Sequence, residues 1–187
     1  NWEDEGYLLS KRKFRENANI INVFTNTFGK VSGIVYGGNS RKIRNYLQIS
    51  NKIFIFYNSK NENKIGYFKT ELVEPISPKY FNDKKRSAAL MSLTSLLNVL
   101  LPESQPYRNI YNSLEKLLQN LYQDQWILLF IYWELSLIKE LGFDTNISKF
   151  NSMNYSNNEL VIVDIDNSKY QIPSFLIKNV MPKIKYK

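Results

Sequence analysis

The 187-residue chain contains neither cysteine nor histidine. Without cysteine there is no disulfide, thiolate metal site or thiol nucleophile, and a reducing cytoplasm is the simplest home. Without histidine the commonest general base and the commonest metal ligand are gone, so acid–base chemistry would fall to carboxylates, lysines and tyrosines. The apolar run "WILLFIYW" at 126–133 is eight residues long, far short of the roughly 20 needed to cross a bilayer. No glycine-rich loop ends in Gly-Lys-Ser or Gly-Lys-Thr, and "GGNSRK" at 37–42 lacks the spacing of a phosphate cradle, which argues against nucleotide-driven work. There is no internal repeat. The chain opens at Asn1 with no cationic leader and apolar core, so no secretion signal is read and a processed or trimmed start is expected.

What the chain has is positive charge, unevenly placed. The formal net charge is +8. Asn (23), Lys (19) and Ile (19) make up about a third of the residues, a bias expected of an AT-rich genome, so position says more than the total. Residues 1–80 hold thirteen Lys or Arg against seven Asp or Glu, and residues 81–187 hold twelve against ten. Four of the six arginines, Arg12, Arg15, Arg41 and Arg44, fall in two clusters, residues 11–15 and 41–44. In a lysine-biased chain this marks the planar guanidinium fork, which matches phosphate, as the group wanted there.

The first 75 residues read as five strands, "EGYLLS", "ANIINVFT", "KVSGIVYG", "KIFIFYN" and "KIGYFKTELVE", rich in β-branched and aromatic residues and bounded by turn formers. Gly29 in "NTFGK" suits the positive φ of a tight hairpin. Five short strands fit a small closed barrel of the OB type. In that reading "GGNSRKIRNYLQIS" at 37–50 is a mobile inter-strand loop that Gly37 and Gly38 turn away from the barrel. Pro75 and Pro78 close the strand region. Three helices then follow by apolar period: one from Lys84 with Ala89, Leu93, Leu96, Leu97 and Leu100, one from Pro106 with Ile110, Leu114, Leu117, Leu118 and Leu121, and one over Gln125–Leu141. The third is apolar on every side and belongs in the middle of a bundle, with Gly142 as its stop. "NISKFNSMNYSNN" at 146–158 reads as loop and "ELVIVDIDNSKYQIP" at 159–173 as a hairpin. The expected fold class is α+β, an OB-type barrel over residues 1–78 and a helical domain over 79–187 with a small hairpin and no zinc site.

Basic segments interleaved with aromatics suit single-stranded nucleic acid, because cations neutralise phosphates and rings stack on unpaired bases. Alternation in "IFIFY" puts Phe54 and Phe56 on one face, read as filling the barrel. Tyr36 and Tyr46, flanking the charged loop, are the stacking candidates. Lys11, Arg12, Lys13, Arg15, Arg41, Lys42 and Arg44 are the candidate phosphate contacts. The carboxylates of "EDE" at 3–5 and the pair Asp164 and Asp166 read as strand-edge and hairpin residues. Charge and stacking alone leave open an RNA-binding OB domain, or an adaptor whose basic half meets an acidic protein or membrane surface.

The segment "WEDEGYLLSKRKFRENANIINVFTNTFGKVSGIVYGGNSRK" resembles the RecO family of bacterial recombination mediators. The resemblance is carried by Trp2, Gly6, Arg12, Glu16, Val23, Phe24, Thr25, Gly29, Gly33, Gly37, Gly38, Ser40, Arg41, Lys42, Leu47 and Gln48, and it resumes at "YWELSLIKELGFD". It implies an N-terminal OB barrel, a helical domain, no enzymatic turnover and no cofactor. It further implies DNA, RecR and the acidic tail of SSB as partners, annealing of complementary strands, loading of RecA onto SSB-coated DNA, and a cytoplasmic, nucleoid-associated location. Three departures stand out. Many relatives place zinc-binding cysteines where this chain has "NISKFNSMN". Some carry arginines where Ile131 and Tyr132 stand, so that position does not place the SSB-tail pocket. Relatives usually continue with further C-terminal helices beyond "MPKIKYK", so a reduced or truncated member is expected.

Overall fold

The computed structural model describes residues 1–38, 40–59, 65–142, 150–156, 160–165 and 168–173. The polypeptide forms two compact units, Asn1–Tyr111 and Asn112–Lys187.

Five strands build a closed barrel in the first unit: β1 (Trp2–Arg15), β2 (Ala18–Thr25), β3 (Gly29–Tyr36), β4 (Lys52–Asn58) and β5 (Tyr67–Glu74), in the order β1-β2-β3-β5-β4. The pairings are antiparallel except between β3 and β5, which meet in parallel at Ile34 and Tyr67. β2 and β3 turn through Gly29 at φ 71°, the left-handed conformation expected of it. β1 extends well beyond "EGYLLS". Its first residues pair with β4 from Trp2 to Tyr7, and a register shift between Leu8 and Ser10 then carries it on along β2 alone as far as Arg15.

Leu8, Ile21, Val23, Val31, Val35, Leu47, Ile53, Ile55 and Phe68 fill the barrel, each full burial of a large aliphatic or aromatic side chain stabilising by about 1.5–3 kcal/mol. Gly33 is needed for space, since a Cβ there would lie 2.4 Å from the Phe68 ring. In β4 the interior positions are Ile53 and Ile55, both fully buried, and Phe54 and Phe56 are only partly buried. That reverses the expected assignment of the two phenylalanines to the interior. Alternation fixed the pairing of residues but not which set faces in, and a narrow five-stranded interior already holding Phe68 takes the smaller isoleucines.

The segment after β3 is helical where a mobile loop was expected. α1 (Arg41–Tyr46) is capped by Ser40, whose hydroxyl accepts from the Ile43 N–H at 3.4 Å, and Ile43 and Tyr46 pack against the barrel core. Two apolar residues three apart give the short helix a partly buried stripe against the barrel, which a reading centred on its glycines and cations passed over. Gly37 adopts φ 69° ahead of it.

A 3-10 turn (Ser77–Tyr80) leads into α2 (Lys84–Leu100), which Asp83 caps by accepting from the Lys85 and Arg86 N–H groups. Its buried stripe is Ala89, Leu90, Leu93, Thr94 and Leu97, whereas Leu100 is exposed. The buried Lys30 of β3 donates from Nζ to the Asn98 carbonyl at 2.7 Å, placing a cation where the C-terminal carbonyls of α2 favour one. α3 (Arg108–Gln119) and α4 (Trp126–Glu140) follow. α4 buries Trp126, Phe130, Ile131 and Trp133 but leaves Tyr132 and Ile138 exposed, so it is not enclosed on all sides. Gly142 ends it at φ 89°. Phe150–Ser156, expected as loop, is a strand, β6, beside β7 (Leu160–Ile165) and β8 (Ser168–Pro173) in a sheet ordered β6-β7-β8. An edge strand needs only one hydrogen-bonded neighbour, so polar sequence suffices there. The expected turn at Asp166 lies outside the described residues.

One buried polar side chain ties α1 to the end of the barrel. Fully buried Asn51 donates from Nδ2 to the Tyr46 carbonyl at 3.0 Å, and its Oδ1 accepts from the Ile76 and Ser77 N–H groups at 2.8 and 3.0 Å. Asn51→Ala would leave these backbone groups without their partner, and each orphaned buried group costs about 1–3 kcal/mol. Urea unfolding should show a loss of about 3 kcal/mol at unchanged m-value, and a loss below about 0.5 kcal/mol would mean the clamp carries no load.

Candidate nucleic-acid interface

Facing positions on neighbouring antiparallel strands share a side of the sheet, so strand register decides which cations can act together. Lys11 lies opposite Ile21, an interior residue, and Lys13 lies opposite Asn19. Both therefore rise from the mouth of the barrel on the side of α1. Arg12 lies opposite Ile20, and Arg15 opposite Ala18; Ala18 and Ile20 belong to a small apolar cluster with Ile34, against which Tyr67 packs. A register shift between Lys13 and Arg15 puts Arg15 on the side of Arg12, the re-aiming that β-bulges perform. The run "KRKFR" thus divides between two faces of one ribbon.

On the first face, the Lys11 ammonium donates to the Leu47 carbonyl at the end of α1 at 2.8 Å. Arg41, Lys42 and Arg44 of α1 are all exposed. Lys11 and Arg44 are near enough to repel, so cations more than thirty positions apart in sequence come together here. On the second face, Tyr36, 57% exposed, meets Tyr67 edge-on at 6.4 Å. Arg15, Glu16, Asn17, Ala18, Tyr36 and Gly37 line a shallow depression beside it. Tyr46 is placed differently from Tyr36: its ring packs on the core and its hydroxyl donates to the Thr70 carbonyl at 2.6 Å, so it holds α1 in position.

Among the described residues no carboxylate forms an ion pair with Lys11, Arg12, Lys13, Arg15, Arg41, Lys42 or Arg44. The basic count overstates the rest of the surface, because Lys30 is spent on α2, and Lys52 pairs with Glu5 at 3.4 Å. Phe14 is an aromatic that sequence reasoning missed. It is 42% exposed with the Arg15 guanidinium 5.2 Å from its ring centroid, a cation–π geometry, and its signal was its place among four cations. Among the described residues no group of three or more carboxylates is placed to hold a metal ion, and no helix is long and apolar enough to cross a membrane.

Burial and a neighbouring cation together leave a trace on Lys11. Burial of its ammonium against the barrel mouth, and then the Arg44 guanidinium, hold its pKa below the ordinary 10.5. Between that lowered value and 10.5 the unfolded chain binds more protons than the folded one, so stability rises with pH through this window and the charged Lys11 is a burden below it. Arg44→Gln should raise the Lys11 pKa, and a bound polyanion should raise it as well. Side-chain ammonium NMR titration reads both, and a Lys11 titration unmoved by Arg44→Gln would show that the two cations do not interact.

Two family models cover most of the chain: "Recombination protein O N terminal" matches residues 1–76 and "Recombination protein O C terminal" matches residues 82–151. The DNA repair protein RecO of Roseobacter denitrificans is 36% identical over 143 residues, covering 76% of this chain and 59% of that protein. Its namesakes in Ruegeria sp. and Wolbachia pipientis wMel are 32% and 29% identical over 149 and 150 residues, each covering 79% of this chain and 62% of the relative. The chain thus spans about three fifths of the length of the relatives it matches. With a closed barrel preceding the helices and both family models matched in order, the chain belongs to the recombination protein O family of DNA repair proteins.

Proposed function

We propose that residues 1–78 bind single- and double-stranded DNA and anneal complementary strands, and that residues 79–187 dock protein partners. The observation that supports this most is the convergence of Lys11 with Arg44 at α1, and of Arg12 and Arg15 with Tyr36 on the adjoining face. Cations from both sequence clusters lie on α1 and on the two faces of the β1 ribbon beside it. Their counter-charge has to come from outside the described ion pairs, and a phosphate backbone supplies it with release of its condensed counterions. Tyr36, and Phe14 beside Arg15, offer ring faces to unpaired bases.

Annealing is the activity this chemistry suits. Two complementary strands repel until their phosphates are screened, and pairing is downhill once they meet, so the protein has only to hold one strand neutralised while the second arrives. Nothing in that scheme breaks a covalent bond or requires ATP. Membership of the family extends the proposal to RecR, to the acidic, apolar-ended tail of SSB taken up in a groove of the helical part, and to loading of RecA onto SSB-coated DNA.

With about five phosphate contacts, log affinity for single strands should fall against log salt with a slope of about −3.5, at about −0.7 per contact. Changing Arg41, Lys42 and Arg44 together to alanine should flatten the slope by about 2, and an unchanged slope would remove α1 from the site. Titrating RNA beside DNA of the same sequence distinguishes the alternative of an RNA-binding barrel. Mixing the chain with two complementary, SSB-coated oligonucleotides without ATP tests annealing and the SSB contact together.

A further inference from the structure

A groove of about 680 Å³ runs from the outward residues of β2 and β3 to the end of the barrel, where Trp2, Phe28 and Tyr57 also line it. Arg12 and Ile20 stand at one part of it, and Asn22, Ser32 and Glu103 at another. Arg12 comes from β1 and Glu103 from beside β3, so the two charged groups face one groove from either side of β2 and β3.

Glu103 is held in place from two directions. Its backbone lies beside Lys30 as an isolated parallel bridge, and the next residue, Ser104 at φ 57°, donates its N–H to the Lys30 carbonyl at 2.8 Å. Its side chain is approached by the Ser32 hydroxyl, whose oxygen is 2.8 Å from Glu103 Oε1 and 2.8 Å from Asn22 Oδ1. Asn22 in turn donates from Nδ2 to Asn98 Oδ1 at 2.7 Å. The Ser32 hydroxyl has one proton, so it donates to Glu103 Oε1 or to Asn22 Oδ1 and not to both at once; in either case the carboxylate has acceptor capacity left over, since an ionised carboxylate accepts about four hydrogen bonds and donates none.

Given the proposed binding of single strands, on which this inference rests, an acid in their path repels phosphate, so its use must be toward the bases. We propose that the groove takes one unpaired guanine, with its phosphate on Arg12 and its Watson–Crick edge on Glu103. Guanine alone among the DNA bases presents two adjacent donors on that edge, N1–H and the 2-amino group, matching the two oxygens of a carboxylate. Adenine and cytosine offer one amino donor there and thymine one imino donor. In a duplex this edge is already paired, so the groove selects unwound strands.

The test is anisotropy titration of the full chain with a twenty-residue oligo-dT, and with the same oligomer carrying a single central dG, inosine, dA or dC. A good bidentate contact discriminates by about 1–3 kcal/mol, so dG should tighten binding about tenfold and inosine, lacking the 2-amino group, should give back most of the gain. Glu103→Gln should bring the dG-to-dT affinity ratio close to one, and Ser32→Ala, which keeps the carboxylate but loosens it, should lower the ratio in part. Equal affinity for dG- and dT-containing strands in the unaltered chain overturns the guanine subsite while leaving general strand binding intact. No binding of oligo-dT overturns the underlying reading as well.

Discussion

The handover of β1 from one partner strand to another is the constraint on which the molecule depends. Over Trp2–Tyr7 the strand closes the barrel against β4, and from Ser10 to Arg15 it is paired to β2 alone. The overhang puts five successive exposed residues, Lys11 to Arg15, at the barrel mouth. A strand that stopped where β4 stops would hold the same core without presenting this ribbon. Its two faces are separately useful because the pleat sends neighbours to opposite sides and the bulge before Arg15 returns one arginine to the company of another.

The two ends of the barrel are closed by different means, and the difference separates stability from proposed function. At the end where β1 begins, Trp2 stacks between Phe28 at 4.0 Å and Tyr57 at 4.8 Å, and rings used on both faces serve packing. At the other end α1 is the plug. Ile43 and Tyr46 turn inward and the cations turn out, so one helical turn both seals the core and carries charge. Burial first, and then the Arg44 guanidinium, hold the Lys11 pKa below its ordinary value at this end.

Much of the fold was legible in the sequence for a simple physical reason. β-branched and aromatic runs bounded by turn formers admit few alternatives, so β2 and β4 fall where "ANIINVFT" and "KIFIFYN" stand, and the leucine stripes of α2 and α3 bury much as their spacing required. The cation clusters were legible too, since charge and residue type need no coordinates. Phe54 and Phe56 were not, because alternation is symmetrical between two faces until the barrel's width breaks the tie. The α1 segment was misread because glycine and charge are stronger local signals than two apolar residues three positions apart.

Residue order by itself determined the strands and helices, the surplus of guanidinium groups in two short runs, and the exclusion of thiol and imidazole chemistry, since all of these are properties of neighbours along the chain. Register decided the rest. Only tertiary pairing sends Lys11 to Arg44 and Arg15 toward Tyr36, commits Tyr46, Lys30 and Lys52 to internal partners, and carries Glu103 to the side of Ser32. These are contacts between residues as many as 71 positions apart, which closure of the barrel imposes and local sequence does not encode.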